Sequence, residues 1–298
     1  MVVDFIRFKA ADSVELRGWL SNENSDVAAI HLHGMSGNGY ENHFLDNLRA
    51  MFSKNSISLF TIDSRGSGMM NSFWKGGNTN SWGEGTKLGG SCFEIFEESE
   101  LDIQGAVDYL KTLGKTRFIL LGHSLGGSKV VNYLVTKNRP EVIAAILLAP
   151  TDMVGWANTD PNNQTYLQKA KKLMAEGKGE ELVGAECWID KTPLSAQTYP
   201  TICEAGRPVD IYGDKNGKTP LGMIEIPTLI VYGSADIGIT KVDGSMGKWL
   251  GRVNKIKNKN TQISVIQDSS HSFKSYEDKL SDSVEKFLCE QPLIVLPK

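Results

Sequence analysis

Six short apolar runs, at residues 27–32, 57–62, 117–121, 142–148, 226–232 and 261–266, set the rhythm of this chain. Each is β-branched or Leu-rich without polar alternation, the pattern of strands covered on both faces. Helix-compatible stretches separate them near 41–53, 98–113, 126–137, 241–250 and 275–289. Strand alternating with helix implies a mostly parallel central sheet, right-handed crossovers and helices on both faces. The first twenty residues differ. Val3, Phe5, Ile6 and Phe8, then Val14, Leu16 and Trp19, flank the polar turn Ala11-Asp12-Ser13, which predicts an antiparallel hairpin.

Two stretches break the rhythm. Residues 67–96 scatter Gly and Asn among Phe73, Trp74, Trp82, Phe93 and Phe96. Residues 150–225 separate two strands by far more than a short connection, and 166–177 and 193–203 within them have helical character. The expected organisation is one core, 1–149 with 226–298, carrying a cap or lid at 150–225. The 67–96 loop is expected to lie near the active site, since scaffold enzymes place pockets on such insertions.

Bulk properties narrow the classes. Of the 298 residues 40% are hydrophobic and 22% charged, an ordinary globular composition able to bury a large core. A net charge of −3, with basic and acidic residues mixed, argues against nucleic acid as a partner. The one basic cluster, Lys255 to Lys259, reads as a solvated turn. No window approaches the roughly 18 apolar residues of a membrane span, and charge interrupts the N-terminal apolar residues, unlike a secretory signal. Cys92, Cys187, Cys203 and Cys289 form no CxxC pair and the histidines do not cluster, so a cytoplasmic protein without metal or cofactor is expected.

Gly122-His123-Ser124-Leu125-Gly126 follows directly on an apolar run and precedes a helix-compatible segment. A serine presented on a tight turn between strand and helix has a strained backbone, and side chains two residues away on either side would collide. With 30 glycines in the chain a bare GxSxG is weak; its position between strand and helix makes it strong. The following helix would aim its amides at negative charge developing during acyl transfer.

Such a serine needs a base. Of the five histidines, His31 lies inside a strand, His43 in a surface helix, His33 in a Gly-rich loop, and His123 is expected to point away from the catalytic face. That leaves His271, on the polar loop after the last apolar run. The base needs a carboxylate, and Asp236 closes the 226–232 strand in Gly233-Ser234-Ala235-Asp236; the rival is Asp152, which could instead line the pocket. Expected oxyanion donors are the N–H of Leu125 and, from His33-Gly34-Met35-Ser36-Gly37, the N–H of Met35. Asp63-Ser64-Arg65-Gly66-Ser67-Gly68 reads as a structural turn whose Asp63 and Arg65 bond nearby backbone. Phe73, Trp74, Trp82, Trp156, Tyr166, Trp188 and Tyr199 are candidates for the pocket wall, with Trp74, Asp152, Trp156 and Trp188 as substrate-binding positions.

Together HGMSG, DSRGSG, GHSLG, GSAD and SSHSF, each after a predicted strand, resemble the α/β-hydrolase superfamily across essentially the whole chain. The order Ser124, Asp236, His271 agrees with that superfamily. The segments 93–99 and 193–199 look like those of siderophore-esterase-like hydrolases, and HSF beside a DSRGSG turn is similar to feruloyl and cinnamoyl esterases. The resemblance implies a serine hydrolase acting on a small-molecule carboxylic ester, moderately polar or aryl in its acyl part. A thioesterase, amidase or acyltransferase working on a natural-product intermediate would use the same residues. A receptor-like binding protein with negligible turnover is the alternative of another class. The oligomeric state is left open.

Overall fold

The computed structural model describes residues 2–76, 85–184, 187, 192–214 and 217–291; Trp82 and Trp188 lie outside the described residues. The expected hairpin is β1 (Asp4–Lys9) against β2 (Glu15–Ser21), antiparallel with Asp4 opposite Leu20. The apolar runs then supply β3 (Val27–Leu32) and β4 (Ser58–Asp63). A small antiparallel hairpin, β5 (Asn71–Trp74) with β6 (Thr86–Gly89), stands within the 67–96 stretch. The main sheet resumes with β7 (Arg117–His123) and β8 (Val142–Leu148). After the short pair β9 (Leu182–Gly184) and β10 (Leu194–Ser195), it closes with β11 (Thr228–Gly233) and β12 (Thr261–Ile266). The eight main strands are ordered β1-β2-β4-β3-β7-β8-β11-β12, parallel from β4 onward.

Alternate residues of the inner strands feed two cores, as the period of two requires. On one face Ile30, Leu120 and Leu147 meet α2 (Ser99–Thr112) and α3 (Leu125–Thr136). On the other Ala29, Ile119 and Ile146 meet α1 (Phe44–Lys54) through Leu48 and Phe52, and the C-terminal helix through Val284 and Phe287. Strands β3, β4, β8 and β11 are buried throughout, whereas β12 is partly exposed because it forms the sheet edge. No helix among the described residues is long and apolar enough to cross a membrane.

The long insertion builds its own apolar cluster. Its helices are α4 (Met153–Ala157), α5 (Asn163–Ala175) and α6 (Thr198–Cys203), so the helical expectation for 193–203 holds only in its second half. Met153, Val154, Leu167, Tyr199 and Ile202 pack there with Phe96 and Leu125. Ile211, Tyr212, Leu221 and Ile224 join the main core instead, so the last part of 150–225 packs with the sheet. Among the described residues the remaining α-helices are α7 (Ile237–Asp243), α8 (Met246–Ile256) and α9 (Glu277–Cys289).

Candidate active site

Ser124 stands between β7 and α3 with φ 55° and ψ −122°, a backbone conformation that L-residues avoid. Its N–H donates to Leu148 O at 2.9 Å, tying the turn to β8. The flanking glycines are required by contact: a Cβ on Gly122 would lie 2.3 Å from Gly126 O, and one on Gly126 2.2 Å from Leu32 O. Strand and helix therefore approach as closely as backbone allows, and the serine is lifted to the carboxyl edge of the parallel strands.

Asp236 and His271 meet beside that edge. His271 Nδ1 lies 2.7 Å from Asp236 Oδ2; a carboxylate only accepts, so Nδ1 carries a proton, and in the neutral ring the lone pair is on Nε2. The other oxygen, Oδ1, accepts the Gly238 N–H at 2.8 Å, where Asp236 caps α7. Asp236 is buried and the His271 side chain is 30% exposed. The Ser124 hydroxyl is hydrogen-bonded to Thr151 Oγ1 at 3.2 Å, and among the described residues no hydrogen bond joins it to His271. Thr151 was not singled out by the sequence; only its place just past β8 hinted at it.

His123 has a contact that the sequence did not announce. Its ring lies 5.0 Å from the His271 ring, packed against Phe44 and Phe273, and its Nε2–H donates to the His271 carbonyl at 3.0 Å. It supports the loop of the candidate base from behind. Burial and the neighbouring His271 push His123 down to about 3, so it is neutral near pH 7.

The Met35 loop lies on the opposite side of Ser124. A Cβ on Gly34 would stand 2.9 Å from Ser124 Cβ, which brings this backbone against the serine. Among the described residues neither the Met35 nor the Leu125 N–H has an acceptor. The DSRGSG turn braces the loop: Gly68 N–H donates to Gly37 O at 3.0 Å and Asp63 accepts the Gly39 N–H at 2.8 Å. Arg65 differs from expectation. Its guanidinium reaches no backbone oxygen among its described bonds and pairs with the carboxylates of Asp12, Glu98 and Asp102.

The other pocket candidates disperse. Asp152 caps α4 by accepting the Gly155 N–H at 2.7 Å and pairs with Arg252 at 2.9 Å, so it fastens α4 to α8. Phe73 is buried in the main core, and Trp74 is exposed on β5, outside the contacts gathered around Ser124. Trp156 and Tyr199 line a cavity of about 240 Å³ at the seam between the insertion and α7, with Tyr166 edge-on to Tyr199. Trp156 borders the Asp236 loop, since a Cβ on Gly238 would meet its ring at 2.7 Å.

Residues 89–296 match the family described as Protein of unknown function, DUF1749. The chain belongs to the DUF1749 family. This DUF1749 chain has the α/β-hydrolase fold, shared with the α/β hydrolase GrgF of Penicillium sp. sh18. That match has a TM-score of 0.68 at 17% identity and covers 98% of this chain and 99% of GrgF. Est1E of Butyrivibrio proteoclasticus, seen with ferulic acid bound, superposes with a TM-score of 0.66 at 19% identity, covering 95% and 98%. A stretch of 104 residues, 35% of this chain, is 29% identical to the "Putative carbamate hydrolase RutD" of Klebsiella pneumoniae (strain 342). The match spans about a third, 34%, of that relative's length.

Proposed function

We propose that this protein is a serine hydrolase cleaving a small to medium carboxylic ester, with Ser124 as nucleophile, His271 as base and Asp236 as the acid orienting it. The observation that carries the reading is the convergence of the strained Ser124 turn and the 2.7 Å His271–Asp236 pair at one sheet edge. Rotation about χ1 moves the Ser124 hydroxyl from Thr151 to His271 Nε2. His271 takes the proton as Oγ attacks the carbonyl, and the N–H groups of Met35 and Leu125 receive the oxyanion. The imidazolium, stabilised by Asp236, returns the proton to the departing alcohol. A water activated by His271 then opens the acyl-enzyme and restores Ser124. These steps call on no metal or cofactor.

The part of the insertion that builds its own cluster, Met153 to Val209, acts in this reading as a cap over the serine, and the cavity beside Trp156 and Tyr199 takes part of the substrate. Its aromatic wall favours an aryl or moderately polar acyl group, in keeping with the ferulic acid held by Est1E. Across an ester series, aryl and short polar acyl groups should turn over faster than long chains; a maximum at long acyl groups would contradict this. Relatedness to a protein named as a carbamate hydrolase favours a second reading, cleavage of a carbamate or amide by the same atoms. Aryl carbamates compared with esters of the same alcohol separate the two. Both readings require that Ser124→Ala abolish turnover.

A further inference from the structure

Behind the Met35 loop lies a buried ion pair that the proposed chemistry does not use. Lys129, on α3, contacts Glu94, from the segment after β6, and both side chains are 1% exposed. Burying two charges carries a desolvation penalty that an apolar pair would avoid, so stability alone is a poor reason for it. Space is made for it as well: a Cβ on Gly66 would fall 2.2 Å from Glu94 Oε2.

The pair is wired to the loop. Lys129 Nζ donates to Ser64 Oγ at 3.5 Å, the longest link. Because the ammonium occupies a lone pair of that oxygen, the Ser64 hydroxyl is free to donate to His33 Nε2, 3.0 Å away. The Ser64 N–H donates to the same nitrogen at 3.2 Å, so Nε2 is an acceptor and the proton of neutral His33 sits on Nδ1. Nδ1–H then donates to Gly34 O at 2.7 Å, and the Gly37 N–H to the same oxygen at 3.1 Å. A trans peptide is planar with its N–H opposite its C=O. Two donors holding Gly34 O on the buried side therefore turn the Met35 N–H the other way, toward Ser124.

We propose that Lys129 and Glu94 are positioning residues which, through Ser64 and His33, fix the Met35 N–H in the orientation that receives the oxyanion. Lys129 polarises the Ser64 hydroxyl and keeps His33 in its accepting state; Glu94 neutralises the ammonium. Burial and the Lys129 cation hold His33 down to about 3, consistent with a ring that never protonates in the working range. The inference rests on the reading of Met35 as an oxyanion donor.

The test uses the full chain and the rate at which a fluorophosphonate labels Ser124, since that reaction also places negative charge on an oxygen facing Met35 and Leu125. Removing both charges together, in Lys129→Met with Glu94→Gln, avoids stranding one of them. The double variant should label about tenfold more slowly and bind phenylboronic acid about tenfold more weakly, with KM for an ester unchanged. Lys115→Met removes an ammonium that holds Glu23 O and Ser25 O at the opposite sheet edge, and should leave the labelling rate alone. Should the double variant not fold, Ser64→Ala, which keeps the charges paired, should slow labelling about threefold. A wild-type labelling rate in the folded double variant, or in Ser64→Ala where that stands in, would overturn the proposal. Equal slowing in Lys115→Met would reduce the effect to general loosening and overturn it too. A wild type that is not labelled at Ser124 would instead remove the functional reading beneath it, and the proposal with it.

Discussion

The two loops that flank Ser124 are held in different ways. The loop at 33–39 is locked into the protein: His33 is fully buried, Gly34 O is held by two donors, and the DSRGSG turn grips Gly37 and Gly39. Ser36 adds a 2.5 Å bond to Ser91. The loop at 267–275 bends through positive φ at Asp268, Phe273 and Ser275, and its own side chains bond weakly, Ser270 to Ser272 at 3.3 Å and Gln267 to Asp268 at 3.4 Å. It is fastened to the root of the neighbouring loop: the Ala235 N–H donates to the carbonyl of buried Ser269 at 2.9 Å, the Asp268 N–H to Ser234 Oγ at 2.8 Å and His271 Nδ1–H to Asp236, while Phe273 is buried and His123 holds the His271 carbonyl. The difference matches what the proposed mechanism would ask of each loop. Amides that stabilise charge gain from having nothing to reorganise. A base that serves serine, leaving group and water in turn needs an accessible ring whose backbone is nonetheless fixed.

Breaking the His271 side of this comparison should have the largest effect. Asp236→Asn preserves shape but lets the amide donate to Nδ1, which forces the wrong tautomer; kcat should fall about 10³- to 10⁴-fold with the fold retained by circular dichroism. Next in size is acid lability, from the imidazoles buried beneath the two loops. His31, His33 and His123 are buried and neutral, with His33 and His123 pushed down to about 3 and His31 lowered well below the usual value by the same burial. The folded form therefore binds fewer protons than the unfolded chain below pH 6.5. Stability is full above that pH and is lost as pH falls, by about 1 kcal/mol per imidazole per pH unit, down to about pH 3 for His33 and His123. Thermal melts between pH 7 and 5 measure this, and a flat profile would contradict it. His123→Phe keeps the ring packing and removes the donor to His271 O; kcat should drop about tenfold with a small change in Tm. Smallest is Ser36→Ala, one brace among several, expected to cost about 1 kcal/mol in denaturant unfolding and less than about twofold in kcat.

The sheet was legible because its signals are local. Runs at 27–32, 142–148 and 261–266 became strands with those same bounds, since short stretches rich in β-branched and aliphatic residues between helices are most easily buried in a sheet. The Ser124 turn was legible for the same reason: strand, tight turn and helix are contiguous in the chain. That Asp236 and His271 face each other follows from two loops leaving the same ends of neighbouring strands, β11 and β12. What stayed hidden depends on residues distant in sequence. The Lys129–Glu94 contact bridges 35 positions, and no charge pattern announces it. The β5–β6 pairing spans a Gly-rich stretch without alternation. The place of His123 behind the candidate base was missed because alternation along β7 gives its face but not what a distant loop brings there.

The central claim is tested most directly by fluorophosphonate labelling of the wild type, mapped by peptide mass, alongside p-nitrophenyl acetate and butyrate turnover by wild type and Ser124→Ala. The account predicts label on Ser124 alone and turnover reduced by about three or more orders of magnitude in the variant. Label elsewhere, or a Ser124→Ala protein that keeps most of its activity, would contradict it.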